Sequence, residues 1–586
     1  MPWWGVTVVA VLLGLVLFVW DLGSIGLVDE TPPLFAASAR AMAESGDWLI
    51  PHVNGLPRYD KPPLVYWLMA ALYSLPAHAR WDPLGSWAAS LPSALASTAT
   101  LLLLCLLTAW WERRVLDQPQ GLWLVAGLLY GLSPLVMLWS RVGVSDSLLT
   151  ALVALALVSS WCSFTSSKLP WWLCWLVLGL ATLTKGPVAL VLFGLCWAGF
   201  ALLEQNTARV WQRLRPLPGV LVSVVVAAPW YATAFWREGT PFVESFFGYH
   251  NLQRFTQVVN RHASPWWFYG AMLLVASLPW SPLVLLGFWR GLRRRQSLAR
   301  FAACWLLAVL LLFSLSATKL PSYWLPATPA AALLAVSVLA ERDAAVRWCV
   351  RVGACAAFAI GVALASAPTW LVRLRDPDLV DLPQLLAGSP LLPSAVALLV
   401  AGALLALWFS AANPRLWCST PVLAVQFSWL LMVPAVFWPL LQLGDSLRSQ
   451  PMRTLAWRAR ALQASSQAQG APIAMLGLIR PSFHFYSHAP IAYEGTSPQA
   501  LVNLNHRLRM EPRVQVPEHS HRILVAAPLQ LEQRRHWGAL LSPRVAQQGR
   551  FGLWWLDLAR LDRKAQLLQQ RQGLTPTWQV PRPERF

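Results

Sequence analysis

A polar segment shortly after the first apolar span holds side chains that can do acid–base and phosphate chemistry. Residues 29–63 of the 586-residue chain contain Asp29, Glu30, Asp60 and Lys61. Charged groups at a membrane boundary cost free energy, so those found there are candidates for function. A carboxylate can act as a general base, and an ammonium group can hold a phosphate. The segment is therefore predicted to be the catalytic loop of a membrane enzyme.

The composition indicates a membrane protein with many helices. Hydrophobic residues make up 56% of the chain and charged residues only 12%, whereas a soluble protein carries about 25% charged residues. Apolar runs of about 20 residues, the length that crosses a bilayer core, recur along the chain. The thirteen predicted spans are 3–20, 86–110, 120–139, 146–164, 171–184, 186–203, 217–236, 266–289, 300–317, 321–340, 347–369, 391–410 and 417–441. This pattern predicts a polytopic α-helical membrane protein and argues against a nucleic-acid partner.

One further apolar run, Leu64 to Ala77, decides the topology. It has about 14 residues and is bounded by prolines, which makes it short for a membrane span. Basic loops usually lie on the cytoplasmic side. The four basic loops share one side only if this run does not cross, namely 113–114, 209–215, 290–300 and 342–347. The N-terminus is then cytoplasmic, and the first span is expected to be an uncleaved helix rather than a signal peptide.

The large polar segments are then external. We predict a transmembrane domain over 1–444, with an external catalytic loop at 21–85 and a second large external loop at 237–264. From residue 445 the composition turns soluble, with 19 Lys and Arg against 8 Asp and Glu. Alternating strand and helix patterns predict a small external α/β domain over 445–586. None of the eight cysteines has metal-site spacing, and no disulfide framework is expected.

Further charged residues are predicted to lie on the same external face. Asp146 ends the motif SRVGVSD, Lys185 lies in TLTKGP, and Arg254 lies in the second external loop. Lys319 and Tyr323 belong to the motif TKLPSY. Cations can hold a phosphate while a carboxylate acts as a base or metal ligand, so the set predicts a site for a phosphate-bearing lipid. The plainer interpretation makes Asp146 a helix cap and the lysines anchors at the membrane interface.

Six stretches, taken together and in order, resemble one family. They are DE at 29–30, SGDWLIPHVNGLPRYDKPPLVYWLMA at 45–70, SRVGVSD at 140–146, LTKG at 183–186, QRF…HASPWWFY at 253–269 and TKLPSYWLP at 318–326. They resemble the GT-C glycosyltransferases of the ArnT/protein O-mannosyltransferase superfamily, particularly the bacterial aminoarabinose-transferase-like branch. The resemblance implies the GT-C fold and inverting transfer of a sugar from a polyprenyl-phosphate donor to an acceptor outside the cytoplasmic membrane.

The resemblance also implies roles for individual residues. Asp29 takes the place of the family's essential carboxylate, which acts as general base or activates the acceptor. Asp60 and His262 become candidate ligands of a divalent metal ion, although Asp60 stands where the family has a glutamate. Lys61 and Arg254 are expected to contact the lipid phosphate. The other catalytic candidates are Glu30 and Asp146, and the other substrate-binding candidates are Arg58, Lys185, Lys319 and Tyr323.

A lipid-linked sugar flippase or transporter is the alternative function, because many spans and buried charges would serve it too. A transporter places ionisable residues near the bilayer midplane, whereas here they gather at one face. A non-catalytic scaffold would not need the combined motifs. The expected location is the bacterial cytoplasmic membrane, with membrane lipid as a partner and the site on the periplasmic face. The sequence leaves open which sugar moves and whether a lipid, a glycan or a protein accepts it.

Overall fold

The chain forms two compact units, each built from several stretches of sequence. The computed structural model describes residues 2–116, 120–166, 169–258, 263–373, 376–412, 419–465, 470–517 and 520–579. The helical unit comprises Met1–Leu22, Asp60–Leu68 and Trp87–Leu441. The sheet unit comprises Gly23–Tyr59, Met69–Ser86 and Gln442–Phe586. Most of the predicted external loop 21–85 thus shares a compact unit with the C-terminal region, whereas Asp60–Leu68 belongs to the helical unit.

Helices account for nearly all of the helical unit. Their bounds are Trp3–Gly14, Leu15–Val19, Ser86–Val115, Leu122–Gly131, Pro134–Trp139, Asp146–Ser166, Trp172–Lys185, Val188–Glu204, Thr207–Leu214, Pro216–Glu238, Thr240–Val243, Glu244–Gln253, Arg254–Thr256, Phe268–Ala276, Ser281–Arg293, Leu298–Leu315, Pro321–Ala327, Thr328–Leu339, Ala344–Ala365, Ala367–Leu371, Leu382–Ala387, Leu391–Ala412, Ser419–Met432, Val433–Phe437 and Trp438–Gly444. The stretch Glu244–Gln253 is a π-helix. The stretch Pro321–Ala327 is a 3₁₀-helix.

Within the described residues, eight helices are long and apolar enough to cross a membrane, or nine if one bent pair counts as a single span. The bent pair is Phe268–Ala276 with Ser281–Arg293, which meet at 114°. Other predicted spans form apolar helices of 10 to 17 residues, such as Trp172–Lys185 and Val188–Glu204. Gly186 and Pro187 separate these two helices, because proline disrupts helix hydrogen bonding. Each helix is therefore shorter than an 18-residue span.

The core of the helical unit lies around a helix that is buried on every side. All twelve residues of Thr328–Leu339 are buried. A tight aromatic cluster packs elsewhere in the same core, where the Trp161 and Phe301 rings stack with their centroids 4.9 Å apart. Trp197 contacts Phe301 in the same cluster. This rigid frame holds the helix ends from which the charged residues project.

The sheet unit contains one five-stranded mixed sheet and one short hairpin. Its strands are His52–Val53, Leu56–Pro57, Ile473–Leu476, Ile491–Glu494, Arg522–Pro528, Leu541–Gln548 and Phe551–Asp557. In the order of its strands by first residue, the large sheet runs 491, 473, 522, 551, 541. The strand at 473 pairs in parallel with those at 491 and 522, and the remaining pairs are antiparallel. The α/β nature of the C-terminal region is therefore confirmed.

The helices of the sheet unit pack against its strands and against one another. They are Thr31–Ser45, His78–Trp81, Asp445–Ser449, Gln450–Gln463, Pro481–Ser487, Pro498–Met510, Leu529–Gln533 and Leu558–Gln572. Helix Thr31–Ser45 packs against Pro481–Ser487, where the Arg40 guanidinium carbon lies 4.0 Å from the centre of the Phe485 ring. The ten-residue apolar helix Leu64–Tyr73 follows the first loop in the sequence.

Candidate functional site

The helical unit contains a cavity of about 430 Å³ that combines cations with apolar walls. Three of its lining side chains are basic, namely Lys61, Lys185 and Arg254, and one is the carboxylate of Asp60. The rest of the wall is largely apolar and includes Phe247, Phe255, Leu312 and Phe313. We call this the cationic cavity. Its size lies in the usual range of small-molecule sites, about 300–1,000 Å³.

Two helix ends place an ion pair beside the cationic cavity. Lys185 is the last residue of Trp172–Lys185, and Asp146 is the first residue of Asp146–Ser166. The Lys185 Nζ lies 2.6 Å from the Asp146 Oδ1. A cation at a helix C-terminus and an anion at an N-terminus both suit the helix dipole. The Lys185 ammonium also lies 4.8 Å from the centre of the Tyr323 ring, so its position is fixed from two sides.

Asp60 joins Lys61 to His250 at another side of the cavity. The Lys61 Nζ donates to the Asp60 Oδ1 at 2.7 Å, and the His250 Nδ1 lies 2.9 Å from the same oxygen. Burial lowers the pKa of Lys61 to about 8, although Asp60 opposes this shift. Burial also lowers the pKa of His250. Arg254 and Lys185 further disfavour the charged form of Lys61, so the cations repel one another when no anion is present.

Backbone hydrogen bonds hold the segment that carries Arg254. The Ala317 N–H donates to the Phe255 carbonyl at 2.8 Å, and the Thr318 N–H donates to the Arg254 carbonyl at 3.3 Å. Lys319 in the same motif is buried, and its Nζ donates to the Ser316 carbonyl at 2.7 Å. Among the described residues Lys319 is not part of the cavity lining. Its position therefore supports a role in holding this loop.

The described residues do not form a metal site. In that part of the chain, no group of three or more His, Cys, Asp or Glu side chains has a metal-binding arrangement. The Asp60 carboxylate is instead engaged by Lys61 and His250. His262, the other predicted ligand, lies outside the described residues.

In the sheet unit, Asp29 is held by a residue from the far end of the chain. Its Oδ1 accepts a hydrogen bond from the Ser482 N–H at 2.8 Å, and its Oδ2 accepts one from the Ser482 hydroxyl at 2.5 Å. Asp29 keeps part of its surface exposed, yet the surrounding protein raises its pKa by removing water. The hydrogen bonds from Ser482 and the charge of Arg480 oppose this rise.

Two other predicted residues also lie in the sheet unit. Glu30 is exposed and occupies the cap position of helix Thr31–Ser45, where its side chain makes no capping hydrogen bond. Arg58 is buried, and its guanidinium carbon lies 5.7 Å from the centre of the Phe35 ring. Arg58 thus contacts the helix that follows Glu30 and supports the first loop.

Sequence reasoning left out two residues that the structure brings to these clusters. His250 precedes Arg254 by four residues, and such a pair shares one helix face, so this spacing was a usable signal. Ser482 is 453 positions from Asp29. A lone serine carries no local pattern that points to such a distant partner.

Two family models match separate parts of the chain. The model described as dolichyl-phosphate-mannose-protein mannosyltransferase matches residues 60–232. The model described as the C-terminal domain of cyanobacterial RgtA-type glycosyltransferase matches residues 466–572. The first match includes Asp60, Lys61, Asp146 and Lys185, whereas the second includes Ser482.

Curated relatives and solved structures agree with these matches. An undecaprenyl phosphate-alpha-4-amino-4-deoxy-L-arabinose arabinosyl transferase of Pseudomonas aeruginosa is 33% identical over 54% of this chain and 55% of that relative. A protein of the same description from Pseudomonas fluorescens is 29% identical over 73% of this chain and 70% of its own. The crystal structure of ArnT from Cupriavidus metallidurans bound to undecaprenyl phosphate superposes with a TM-score of 0.72, covering 94% of this chain and 98% of that one at 20% identity.

The chain has the GT-C fold of ArnT and is similar in sequence to the arabinosyl transferases named above. The family resemblance seen in the motifs is thereby confirmed. The chain spans a little over half the length of the first curated relatives that it matches, 55% in the case above. For this ArnT-like chain, the activity, substrates and partners are therefore treated as proposals.

Proposed function

We propose that this protein is a membrane glycosyltransferase that moves a sugar from a polyprenyl-phosphate donor to an acceptor on the external face of the membrane. The cationic cavity carries the proposal. It presents three cations against one carboxylate in its lining, beside an apolar wall. A polyprenyl phosphate has the matching chemistry, because it joins an anionic phosphate to a long apolar chain. Cations also attract phosphate in a low-dielectric site more strongly than in water.

Lys61, Lys185 and Arg254 would hold the donor phosphate. Burial is the main cause of the lowered pKa of Lys61, and repulsion from Arg254 and Lys185 adds to it. An anion bound among these three cations relieves that repulsion. As the sugar leaves, negative charge grows on the phosphate oxygen that it leaves behind. Cations already fixed in place stabilise this charge without reorganising during the reaction. Asp146 keeps Lys185 oriented, so we assign Asp146 a positioning role.

The reaction forms one C–O bond and breaks another. An acceptor oxygen attacks the anomeric carbon of the sugar, while the bond from that carbon to the donor phosphate breaks. The polyprenyl phosphate leaves with the electron pair, and the proton of an acceptor hydroxyl passes to the Asp29 carboxylate. Attack on the face opposite the leaving phosphate inverts the anomeric configuration. The partly exposed Asp29 supports its assignment as the base.

We also propose the finer topology. The thirteen predicted spans, with Leu64–Tyr73 not crossing, put the N-terminus in the cytoplasm and residues 445–586 outside. The loops 21–85 and 237–264 are then external, in the cytoplasmic membrane of a bacterium. The basic loops 113–114, 209–215, 290–300 and 342–347 then lie on the cytoplasmic side, which supports this orientation. A reporter fused at Arg294 tests it, since an external signal there would refute the assignment.

The chemistry of the cavity supports the proposed donor class, whereas it does not identify the acceptor. The curated relatives are named for transfer of aminoarabinose from undecaprenyl phosphate, and we propose a polyprenyl-phosphate-linked sugar as donor here too. Candidate acceptors are a lipid, a glycan and a protein. Comparing the masses of all three in cells with and without the gene identifies which one gains a sugar, and which sugar it is.

The direct test measures transfer in membranes supplied with a polyprenyl-phosphate sugar. We expect Asp29→Asn to abolish transfer while leaving the protein folded. The control is Arg509→Gln, since Arg509 is well exposed and pairs only at the surface with Asp562. Full activity of Asp29→Asn would refute the base assignment. Inactivity of the wild-type protein with every polyprenyl-phosphate sugar tested would refute the proposed function.

A further inference from the structure

We propose that Ser482 is a positioning residue for Asp29, so that the C-terminal region takes part in the acid–base step. The inference rests on the proposed function in one respect, the role of Asp29 as base. Its geometry is independent of that role. Ser482 donates to both carboxylate oxygens of Asp29, through its N–H and through its hydroxyl. Two donors from one residue fix the plane of the carboxylate as well as its position.

Ser482 is itself rigidly placed. It is fully buried and lies in the first turn of helix Pro481–Ser487. This helix packs against Thr31–Ser45 and Gln450–Gln463 within the sheet unit. The N–H of a residue in a first helical turn has no partner inside the helix, and here Asp29 supplies one. Asp29 and Ser482 therefore satisfy each other, and neither can move without exposing an unpaired group.

The surroundings of Asp29 contain few other charges. Arg480 lies near and favours the carboxylate, whereas Glu30 disfavours it. Tyr493 also faces the carboxylate, and Asp29 contributes to raising the pKa of that phenol. Removal of water remains the largest influence on Asp29. The two hydrogen bonds from Ser482 are the main structural feature that keeps the carboxylate ionised against this burial.

The role predicts a change in pH dependence. A general base must be deprotonated, so transfer falls on the acidic side as Asp29 takes up a proton. Ser482→Ala removes the hydroxyl donor and leaves the N–H. Because a hydrogen bond to the carboxylate favours its charged form, the acidic limb of the rate profile should move to higher pH. At pH values on the acidic limb, Ser482→Ala should be about tenfold less active than the wild type, since a hydrogen bond to a charged group is worth about that factor.

The experiment measures transfer against pH for the full-length protein in membranes, with three variants. Ser482→Thr keeps a hydroxyl and should return the acidic limb toward the wild-type position. Ser497→Ala is the matched control, because Ser497 caps helix Pro498–Met510 by accepting the Ala500 N–H. That variant loses a helix cap in the same unit without touching Asp29, and its profile should keep the wild-type shape.

The outcomes separate the possible failures. A displaced limb in Ser482→Ala that Ser482→Thr corrects supports the inference. An equal loss of rate at every pH, as any destabilised variant would show, refutes it. If the wild-type protein transfers no sugar, the proposed function fails. The interaction between Ser482 and Asp29 is then tested by thermal unfolding alone.

Thermal unfolding provides that activity-independent measurement. Ser482→Ala, Asp29→Ala and the double variant form a cycle that isolates the interaction between the two residues. We expect the double variant to unfold at the temperature of Asp29→Ala, because Ser482 then has no carboxylate to hold. Additive losses in the double variant would show that the two side chains do not interact and would overturn the inference.

Discussion

The pair Lys185–Asp146 allows the stability of the helical unit to be separated from donor binding. Lys185→Met removes one of the three cations that line the cationic cavity. It also leaves Asp146 without the ammonium that lies 2.6 Å away. The variant should therefore lose both stability and affinity for polyprenyl phosphate. The double variant Lys185→Met/Asp146→Asn removes the stranded charge as well, so it should recover stability alone.

The two effects have different magnitudes. Both side chains are only 13% exposed, and breaking a buried pair on one side costs about 3–5 kcal/mol. We expect about 3 kcal/mol for Lys185→Met, since some solvent reaches the carboxylate. A hydrogen bond from a cation to a phosphate is worth about 1.5–3 kcal/mol. Losing this hydrogen bond raises the dissociation constant for polyprenyl phosphate by roughly 10- to 150-fold. The double variant should show the same increase.

The assay combines thermal unfolding in lipid nanodiscs with titration of polyprenyl phosphate. Asp146→Asn alone completes the set and should bind the ligand more weakly than the wild type but more tightly than Lys185→Met, because Lys185 keeps its charge and loses its orienting partner. A polyprenyl alcohol of equal chain length reports binding by the apolar wall alone. The reasoning is refuted if the stabilised double variant binds polyprenyl phosphate with wild-type affinity, since Lys185 would then serve only as a partner for Asp146.

Three further predictions concern stability. Arg507 is buried and donates to Glu494 and Glu511. Arg507→Met leaves two carboxylates without their cation and should lower the free energy of unfolding by about 3–5 kcal/mol, which thermal unfolding measures. Burial lowers the pKa of His484 to about 4, whereas an unfolded histidine has a pKa of about 6.5. The free energy of unfolding should therefore fall by on the order of 3 kcal/mol as the pH drops from 6.5 to 4. His484→Gln should flatten this pH dependence. Gly186 has φ +88° and Phe246 close to where a side chain would lie, so Gly186→Ala should cost about 1–3 kcal/mol in the same unfolding measurement.

Local sequence signals predicted several elements well. Pro32 directly after Thr31 and Gly46 after Ser45 are local signals for a helix start and a helix end, and the structure has Thr31–Ser45 with Gly46 at φ +74°. The apolar runs at 472–479, 523–527 and 551–558 are typical of strands, and each contains one. These elements depend on capping, turn chemistry and apolar runs, which are properties of residues adjacent in the sequence.

Other elements could not be read locally. The strand Leu541–Gln548 is largely exposed and has the polar sequence of a sheet edge, so it lacks the apolar alternation that signals a strand. The sequence at 529–538 has a local helical preference, but only the short 3₁₀ turn Leu529–Gln533 forms there. There the Trp537 ring is buried and its Nε1 donates to the Thr496 carbonyl at 3.0 Å. A tertiary contact thus overrides the local helical preference.

The candidate site shows the same division between local and distant information. Motif resemblance selected Lys61, Lys185 and Arg254 from separate segments, and the structure brings all three to one cavity. The partners that orient the carboxylates, His250 and Ser482, were missed. Cations that bind a charged substrate recur in recognisable motifs, whereas the groups that hold a carboxylate in place only need to reach it in three dimensions.

Two cations of the cationic cavity, Lys185 and Arg254, and the neighbouring Asp146 lie where helices begin, end or change pitch. Asp146 opens one helix and Lys185 closes another, and Arg254 directly follows the π-helix Glu244–Gln253. Ends of helices carry unpaired backbone groups and lie near water, so a charge there avoids the cost of lying within the hydrocarbon. Such a site can change at its helix ends while the spans keep their packing.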